Sequence, residues 1–129
     1  MLTFSELLKA DCLKNHSDIA LSFDKAVDII LEAIVKGQTL LRFGNTMFLC
    51  KPHSATGLEF HSINADKGDQ LLENFKQLVE KAKSLGYKYL ITFYDNPKIS
   101  ELLKVSGVDT EIKRIDQGKY NTYQMIARF

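Results

Sequence analysis

The sequence predicts a mixed α/β (α+β) domain: one sheet, antiparallel at its edges and parallel at its centre, with helices on both faces. Three observations carry that expectation. Residues 57–107 read as strand, long amphipathic helix, strand, short helix, and a strand on each side of one helix is the crossover unit that makes two strands parallel. Two strand-like runs, 39–43 and 46–51, precede it, separated only by Gly44-Asn45. Two more alternating runs, 110–116 and 119–128, follow it and are joined by Gln117-Gly118 as a closing hairpin.

Taken in order, the first 23 residues are the least patterned. Residues 1–8 fit a first strand or a short helix capped by Ser5. Residues 10–22 read as loop with some helix, because Cys12, Leu13, Ile19, Ala20 and Leu21 keep no clean period. Asp24 is expected to N-cap a helix that turns Ala26, Val27, Ile30, Leu31 and Ile34 to one side and ends before Gly37. Gly at the first central position of Gly44-Asn45 suits a tight II′ hairpin turn. Pro52 ends the second run because it cannot donate to a ladder. With a strand starting at Gly57, residues 39–63 form a three-stranded antiparallel meander. The clearest helix is 67–85. Leu71, Leu72, Phe75, Leu78, Val79, Ala82 and Leu85 recur at helical spacing, charged residues fill the other face, and Gly86 stands where a cap belongs. A strand at 88–94 and a helix at 97–105 complete the central unit.

The bulk properties narrow the class. The chain has 129 residues, 45% hydrophobic and 26% charged, which fits one domain over 1–129. A formal net charge of +1 gives no field favouring nucleic acid or anionic lipid. No apolar run approaches the roughly eighteen residues a spanning helix needs, and the N-terminus lacks a signal-peptide layout. Cys12 and Cys50 have no framework spacing and read as thiols of a reducing compartment. The expectation is a soluble protein, in a bacterial cytoplasm or a virion, with no membrane and no nucleic-acid partner.

The order of elements resembles the GNAT superfamily of N-acetyltransferases, the likeness resting on residues 63–108. In that family a Gln/Arg-x-x-Gly-x-Gly/Ala loop at a helix N-terminus holds the pyrophosphate of acetyl-CoA, since glycines allow close backbone approach and the helix end supplies partial positive charge. Here the loop runs Ile63-Asn64-Ala65-Asp66-Lys67-Gly68. Gly68 keeps the last glycine, Asp66 replaces the first, and Ile63 replaces the Gln or Arg. Asp66 and Asp69 put carboxylates where a diphosphate would lie. A pair of like charges there costs a few kcal/mol, about 4 kcal/mol at 4 Å in a partly dry site; acidic residues in a first helical turn also have an ordinary role in complementing the dipole. The family's second signature is Asn-x-x-Ala-x-x-x-Tyr-x-x-x-Gly-Phe, whose Tyr protonates the leaving thiolate. Residues 96–108 keep Asn96 and Gly107 but place Leu103 at the tyrosine position, and a hydrocarbon transfers no proton. The resemblance therefore implies a retained scaffold without cofactor, catalytic residue or acetyltransferase activity.

The same helix, with Leu103-Lys104 before Gly107, resembles small GNAT-like virion proteins of short-tailed bacteriophages. That implies a structural or assembly protein whose partners are other phage proteins. The alternative is an N-acetyltransferase using acetyl-CoA with a divergent loop, its cleft between the strands at Ile63 and Lys88.

Other constellations have plain structural readings beside the chemical ones. Glu59 lies where many acetyltransferases carry a general base, but alternation with Leu58 and Phe60 turns it, with His61, outward. Cys50, His53 and His61, with Cys12 and His16, lack the paired short spacings of a zinc site, so no metal is expected. Cys12 and His16, at i and i+4, do not make a nucleophile pair. Tyr87, Tyr89, Phe93, Tyr94, Tyr120 and Tyr123, near Lys88, Lys98, Lys113, Arg114, Lys119 and Arg128, could stack bases, yet balanced charges favour cross-strand pairs of a half-buried sheet. Candidate contact surfaces are Leu2, Phe4, Leu7, Leu8, Leu21 and Phe23, and the end of the chain from Met125 to Phe129, though these residues equally complete a core.

Overall fold

The computed structural model describes residues 1–15, 23–66, 68–94, 97–117 and 120–129. The elements are α1 (Phe4–Asn15), α2 (Phe23–Val35), β1 (Thr39–Phe43), β2 (Thr46–Pro52), β3 (Gly57–Asn64), α3 (Gly68–Ser84), β4 (Tyr89–Tyr94), α4 (Pro97–Lys104), β5 (Asp109–Gln117) and β6 (Tyr120–Arg128). The six strands form one sheet in the order β1-β2-β3-β4-β6-β5, antiparallel except where β3 and β4 run parallel through the α3 crossover. The meander, the crossover and the closing hairpin stand where the alternation put them, within one or two residues.

Side chains alternate across each strand, so the sheet has two apolar faces. Phe48, Cys50, Leu58, Phe60, Leu90, Met125 and Ala127 meet Phe75, Leu78, Val79 and Ala82 of α3 and Leu103 of α4. Met47 and Ile63 point the other way, into Leu7, Leu8 and Cys12 of α1 and Ala26 and Ile30 of α2. Leu78 is fully enclosed, and truncation to Ala there would cost about 2–5 kcal/mol through lost transfer energy and a cavity.

The N-terminus corrects the sequence reading. Residues 4–15 are one helix, the helical alternative for residues 1–8 rather than the strand, running on into the stretch read as loop with some helix, and its cap is Thr3, not Ser5. Thr3 Oγ1 accepts from the Glu6 N–H (3.2 Å) while Glu6 Oε1 accepts from the Thr3 N–H (3.4 Å), a reciprocal capping box. The remainder of the uncertain stretch, residues 16–22 with His16, Ile19, Ala20 and Leu21, lies outside the described residues.

α2 also differs. It begins at Phe23, so Asp24 sits in its first turn instead of capping it. Ala26, Ile30 and Ala33 are its buried positions, while Leu31 and Ile34, expected inward, are exposed at 53% and 41%. Ile29 and Val35 are exposed too. A helix this apolar on most sides gives no unique inward direction until its neighbours are known. In α3, Leu71 and Leu72 are half-buried and the polar Asn74 is buried, while Leu85, expected on the apolar face, falls just past the helix and is exposed. Gly86 does cap α3: the Tyr87 N–H reaches the Ala82 carbonyl and the Gly86 N–H the Lys83 carbonyl, with Gly86 at φ +91°.

Of the proposed contact residues, Leu7, Leu8, Met125 and Ala127 are core, and Leu2, Phe4, Phe23 and Phe129 pack partly buried against it. They complete this domain's interior. Among the described residues no helix is long and apolar enough to cross a membrane.

Candidate functional site

The parallel pairing between β3 and β4 is short. Gly57, Leu58 and Glu59 face Tyr89, Leu90 and Ile91, after which β3 runs on to Asn64 and β4 to Tyr94 with no further rungs between them. The two strands part, and their C-terminal ends frame a mouth with Ala65, Asp66 and α3 on one side and α4 on the other. In open α/β sheets such a parting at the carboxyl ends of strands is where ligands enter.

Two side chains take up strand-edge groups at this mouth. Thr92 Oγ1 donates to the Phe60 carbonyl at 2.6 Å, a buried bond from one diverging strand to the other. The Asn64 N–H donates to Oδ1 of Asp11, which α1 delivers to the end of β3 at 3.1 Å; Asp11 is only 2% exposed. An extended ligand with amides of its own would need such edge groups. Neither Thr92 nor Asp11 was singled out from the sequence. The signal available for Asp11 was a polar residue between Leu8 and Cys12 on an apolar helix face, which marks a buried partner.

The loop itself is held by Asp66. One carboxylate oxygen accepts from the Asn45 N–H (3.0 Å), Thr46 Oγ1 (2.9 Å) and Asn74 Nδ2 (2.7 Å). Asn74 Nδ2 also reaches Thr46 Oγ1, its Oδ1 accepts from Gln70, and the Ala65 N–H bonds the Asn45 carbonyl. Asp66 precedes α3, so the first-turn dipole role expected of it is corrected: it ties the β1–β2 turn to the second turn of the helix. Asp69 does stand in the first turn, exposed. Gly44, at φ +59° as a primed hairpin turn requires, leaves room there, since a Cβ would come within 3.4 Å of Asp66 Oδ2. Gly68 is at φ +37° with open space beside it, and Ile63 is buried on the α1–α2 side of the sheet. Lys67 and Asn96 lie outside the described residues.

Leu103, at the position where the family signature has its tyrosine, is buried in the core beneath α4. The phenol at the end of β4, Tyr94, bonds Ser100 Oγ at 2.6 Å, and burial pushes its pKa up, which makes it a weaker acid. Glu59 is not the freely solvated residue expected. Its side chain is 16% exposed and pairs with Lys51 at 3.3 Å, directly across the β2–β3 ladder. His61 is exposed on that same face, opposite the face that buries Cys50, and His53 is in the β2–β3 loop, bonded to the Tyr89 hydroxyl. The thiol and the two imidazoles are not brought together. Burial drives the Cys50 thiol up to about 12 and raises Cys12 as well, the latter helped by the Asp11 carboxylate. The aromatics form no single platform either: Tyr87 and Tyr94 pack on the α3 side, Tyr89 covers Gly57, and Tyr94 stacks on Tyr123.

This arrangement has solved counterparts. The fold is that of GNAT acetyltransferases. A ribosomal-protein-alanine N-acetyltransferase from Brucella melitensis superposes with a TM-score of 0.62 at 12% identity, covering 99% of this chain and 97% of its own. A probable GNAT-family acetyltransferase from Chromobacterium violaceum gives 0.65 at 13% identity, covering 83% and 68%. A variant of the spermidine N-acetyltransferase from Vibrio cholerae gives 0.61 at 12%, covering 83% and 75%. No protein-family model matches the sequence, and no curated protein does. At these identities the GNAT likeness is one of architecture, and the chemistry must be argued from the residues.

Proposed function

We propose that this GNAT-fold chain carries out no acetyl transfer and acts as a structural or interaction component of a larger protein assembly. The observation that carries the reading is the Asp66 network: where the fold's anion loop wants flexible glycine backbone, this chain has a carboxylate fixed by three hydrogen bonds. A second carboxylate, Asp69, follows within three residues. A diphosphate there would meet negative charge and a loop unable to close around it. Thr92 and Asp11, which engage the strand edges, and Leu103, buried where an acid is needed, support the same conclusion. The residues present do not fit acetyl-CoA, and no catalytic step is assigned to them.

Partner binding draws support from α2, whose Ile29, Leu31, Ile34 and Val35 expose aliphatic surface that no described residue covers. The likeness of residues 96–107 to small virion proteins of short-tailed bacteriophages supports a phage particle as the assembly. Isothermal titration with acetyl-CoA is the test. No saturable heat is expected up to about 1 mM, and binding in the low micromolar range would replace this reading with that of a divergent N-acetyltransferase.

A further inference from the structure

A cleft of about 430 Å³ opens between α4 and the β5–β6 hairpin, lined by Ser100, Glu101, Lys104, Thr110, Ile112 and Tyr123. Its construction follows from the fold. Glu101 and Lys104 are three residues apart and share one face of α4 with Ser100. Alternation sends Thr110 and Ile112 to a common side of the edge strand β5, and Tyr123 stands on the adjacent β6.

One end of the cleft is aromatic and fixed. Tyr94 stacks on Tyr123 with ring planes 14° apart and centroids 5.4 Å apart, and Ser100 holds the Tyr94 hydroxyl. The other end, where α4 finishes and β5 begins, is polar, with Lys104 and the Thr110 hydroxyl. Glu101 and Ile112 lie between. Glu101 and Lys104 are both exposed, and neither has a hydrogen bond or ion pair among the described residues, not even with the other. The cleft thus presents, in order, a ring, a carboxylate and an ammonium. The side-chain roots of Glu101 and Lys104 are about 5–6 Å apart, the spacing of neighbours on a helix face.

That order selects against most small ligands. A nucleotide or other polyanion would gain Lys104 but face Glu101, and a simple amine would gain Glu101 but face Lys104. A ligand carrying both charges on neighbouring atoms satisfies each, and a ring one carbon away reaches Tyr123. We infer that this cleft binds a free aromatic α-amino acid, its ring against Tyr123 and Ile112, its ammonium on Glu101 and its carboxylate on Lys104 and Thr110. Its size is within the usual range for small-molecule sites, and aromatic stacking with paired charges gives recognition without a covalent step.

The chain contains no tryptophan, so the fluorescence of L-tryptophan can be followed without protein background. Titrating the protein into L-tryptophan should raise its anisotropy to saturation with a Kd below about 1 mM. Tryptamine, lacking the carboxylate, and indole-3-propionate, lacking the ammonium, should each compete about tenfold less well or worse. Glu101→Gln and Lys104→Met, both at exposed positions that leave folding intact, should each weaken binding by about tenfold or more. Anisotropy that never saturates up to about 10 mM would overturn the assignment, as would variants that bind like the parent or tryptamine that competes as well as the amino acid. The cleft shares no residue with the 64–68 loop, so this outcome and that of the acetyl-CoA titration are read separately.

Discussion

The side-chain amide of Asn74 donates to the carboxylate of Asp66 across 2.7 Å, and that bond fastens the loop before α3 to the helix it precedes. Asn74 is 1% exposed and Thr46 is wholly buried, so the donors converging on Asp66 have little access to water. Asp66→Ala should therefore cost about 2–3 kcal/mol, the penalty of leaving buried donors unpaired. Asn74→Ala should cost a similar amount, and the double variant less than the sum, because both remove one network. Urea denaturation of the three variants measures this; strictly additive costs would mean the network does not act as a unit. Asp66→Gly, which restores the fold's first loop glycine, should lose the same stability without creating micromolar affinity for acetyl-CoA.

Thr92 should behave as a clamp on the parting strands. Thr92→Val keeps the shape but leaves the Phe60 carbonyl without its 2.6 Å partner, for an expected loss of about 1–3 kcal/mol. Thr92→Ser retains the hydroxyl and should recover most of that loss. Hydrogen exchange offers a second readout, with amides of β3 beyond Glu59 losing protection in the Val variant and not in the Ser variant. Equal stability of the Val and Ser variants would exclude a role for the hydroxyl.

These two bonds mark the limit of what could be read beforehand. The meander, α3 and the closing hairpin were legible because each has an unbroken period and a Gly or Pro at its boundary, and the parallel centre followed from chain order. α1 was obscured because buried Asp11 breaks its apolar stripe and because Ser5 is as good a cap residue as Thr3, two positions before it. The outward side of α2 could not be told from its inward side, since Leu31 and Ile34 are as apolar as Ile30. The loss of the glycine loop was visible from Asp66 alone. What replaced it was not, because Asp66 finds its partners at Asn45 and Thr46, some twenty residues earlier, and only the folded sheet brings them together.

While the chain is folded, the Cys50 thiol should be inert and the Cys12 thiol slow to react. Cys50 is 3% exposed and burial lifts its pKa from 9.0 to about 12, so almost no thiolate is present at pH 8. Ellman's reagent at that pH should react with Cys50 only after denaturant is added, and with Cys12 slowly before it. The sign of the stability effect follows from proton count. The folded state keeps the Cys50 proton that the unfolded state releases, so this contribution is whole below pH 9 and is lost as the pH rises from 9 toward 12. Cys50→Ala should remove that part of the alkaline decline. Prompt modification of Cys50 in the native protein would show that the β2–β3 face opens far more readily than its packing implies.

Gly57 and Tyr89 should be energetically coupled more strongly than any other pair tested. They are opposite each other at the start of the parallel β3–β4 ladder, and a Cβ on Gly57 would fall 2.0 Å from Tyr89 Cζ, so the ring lies directly over the glycine. The ring cannot simply swing aside without loss, because its hydroxyl bonds His53 Nδ1 and Ser54 Oγ, both at 2.9 Å, and those contacts close the β2–β3 loop. Gly57→Ala is therefore expected to cost about 1–3 kcal/mol, through overpacking and the forfeited hydroxyl contacts. Tyr89→Ala removes the obstruction, and a strand interior favours Ala over Gly by roughly 0.5–1 kcal/mol. In that background the same glycine substitution should be neutral or slightly stabilising. A double-mutant cycle by chemical denaturation thus predicts an interaction energy of about 1–4 kcal/mol. A cycle that closes near zero would mean the ring has another place to go, and the clasp on the loop would then have no energetic role.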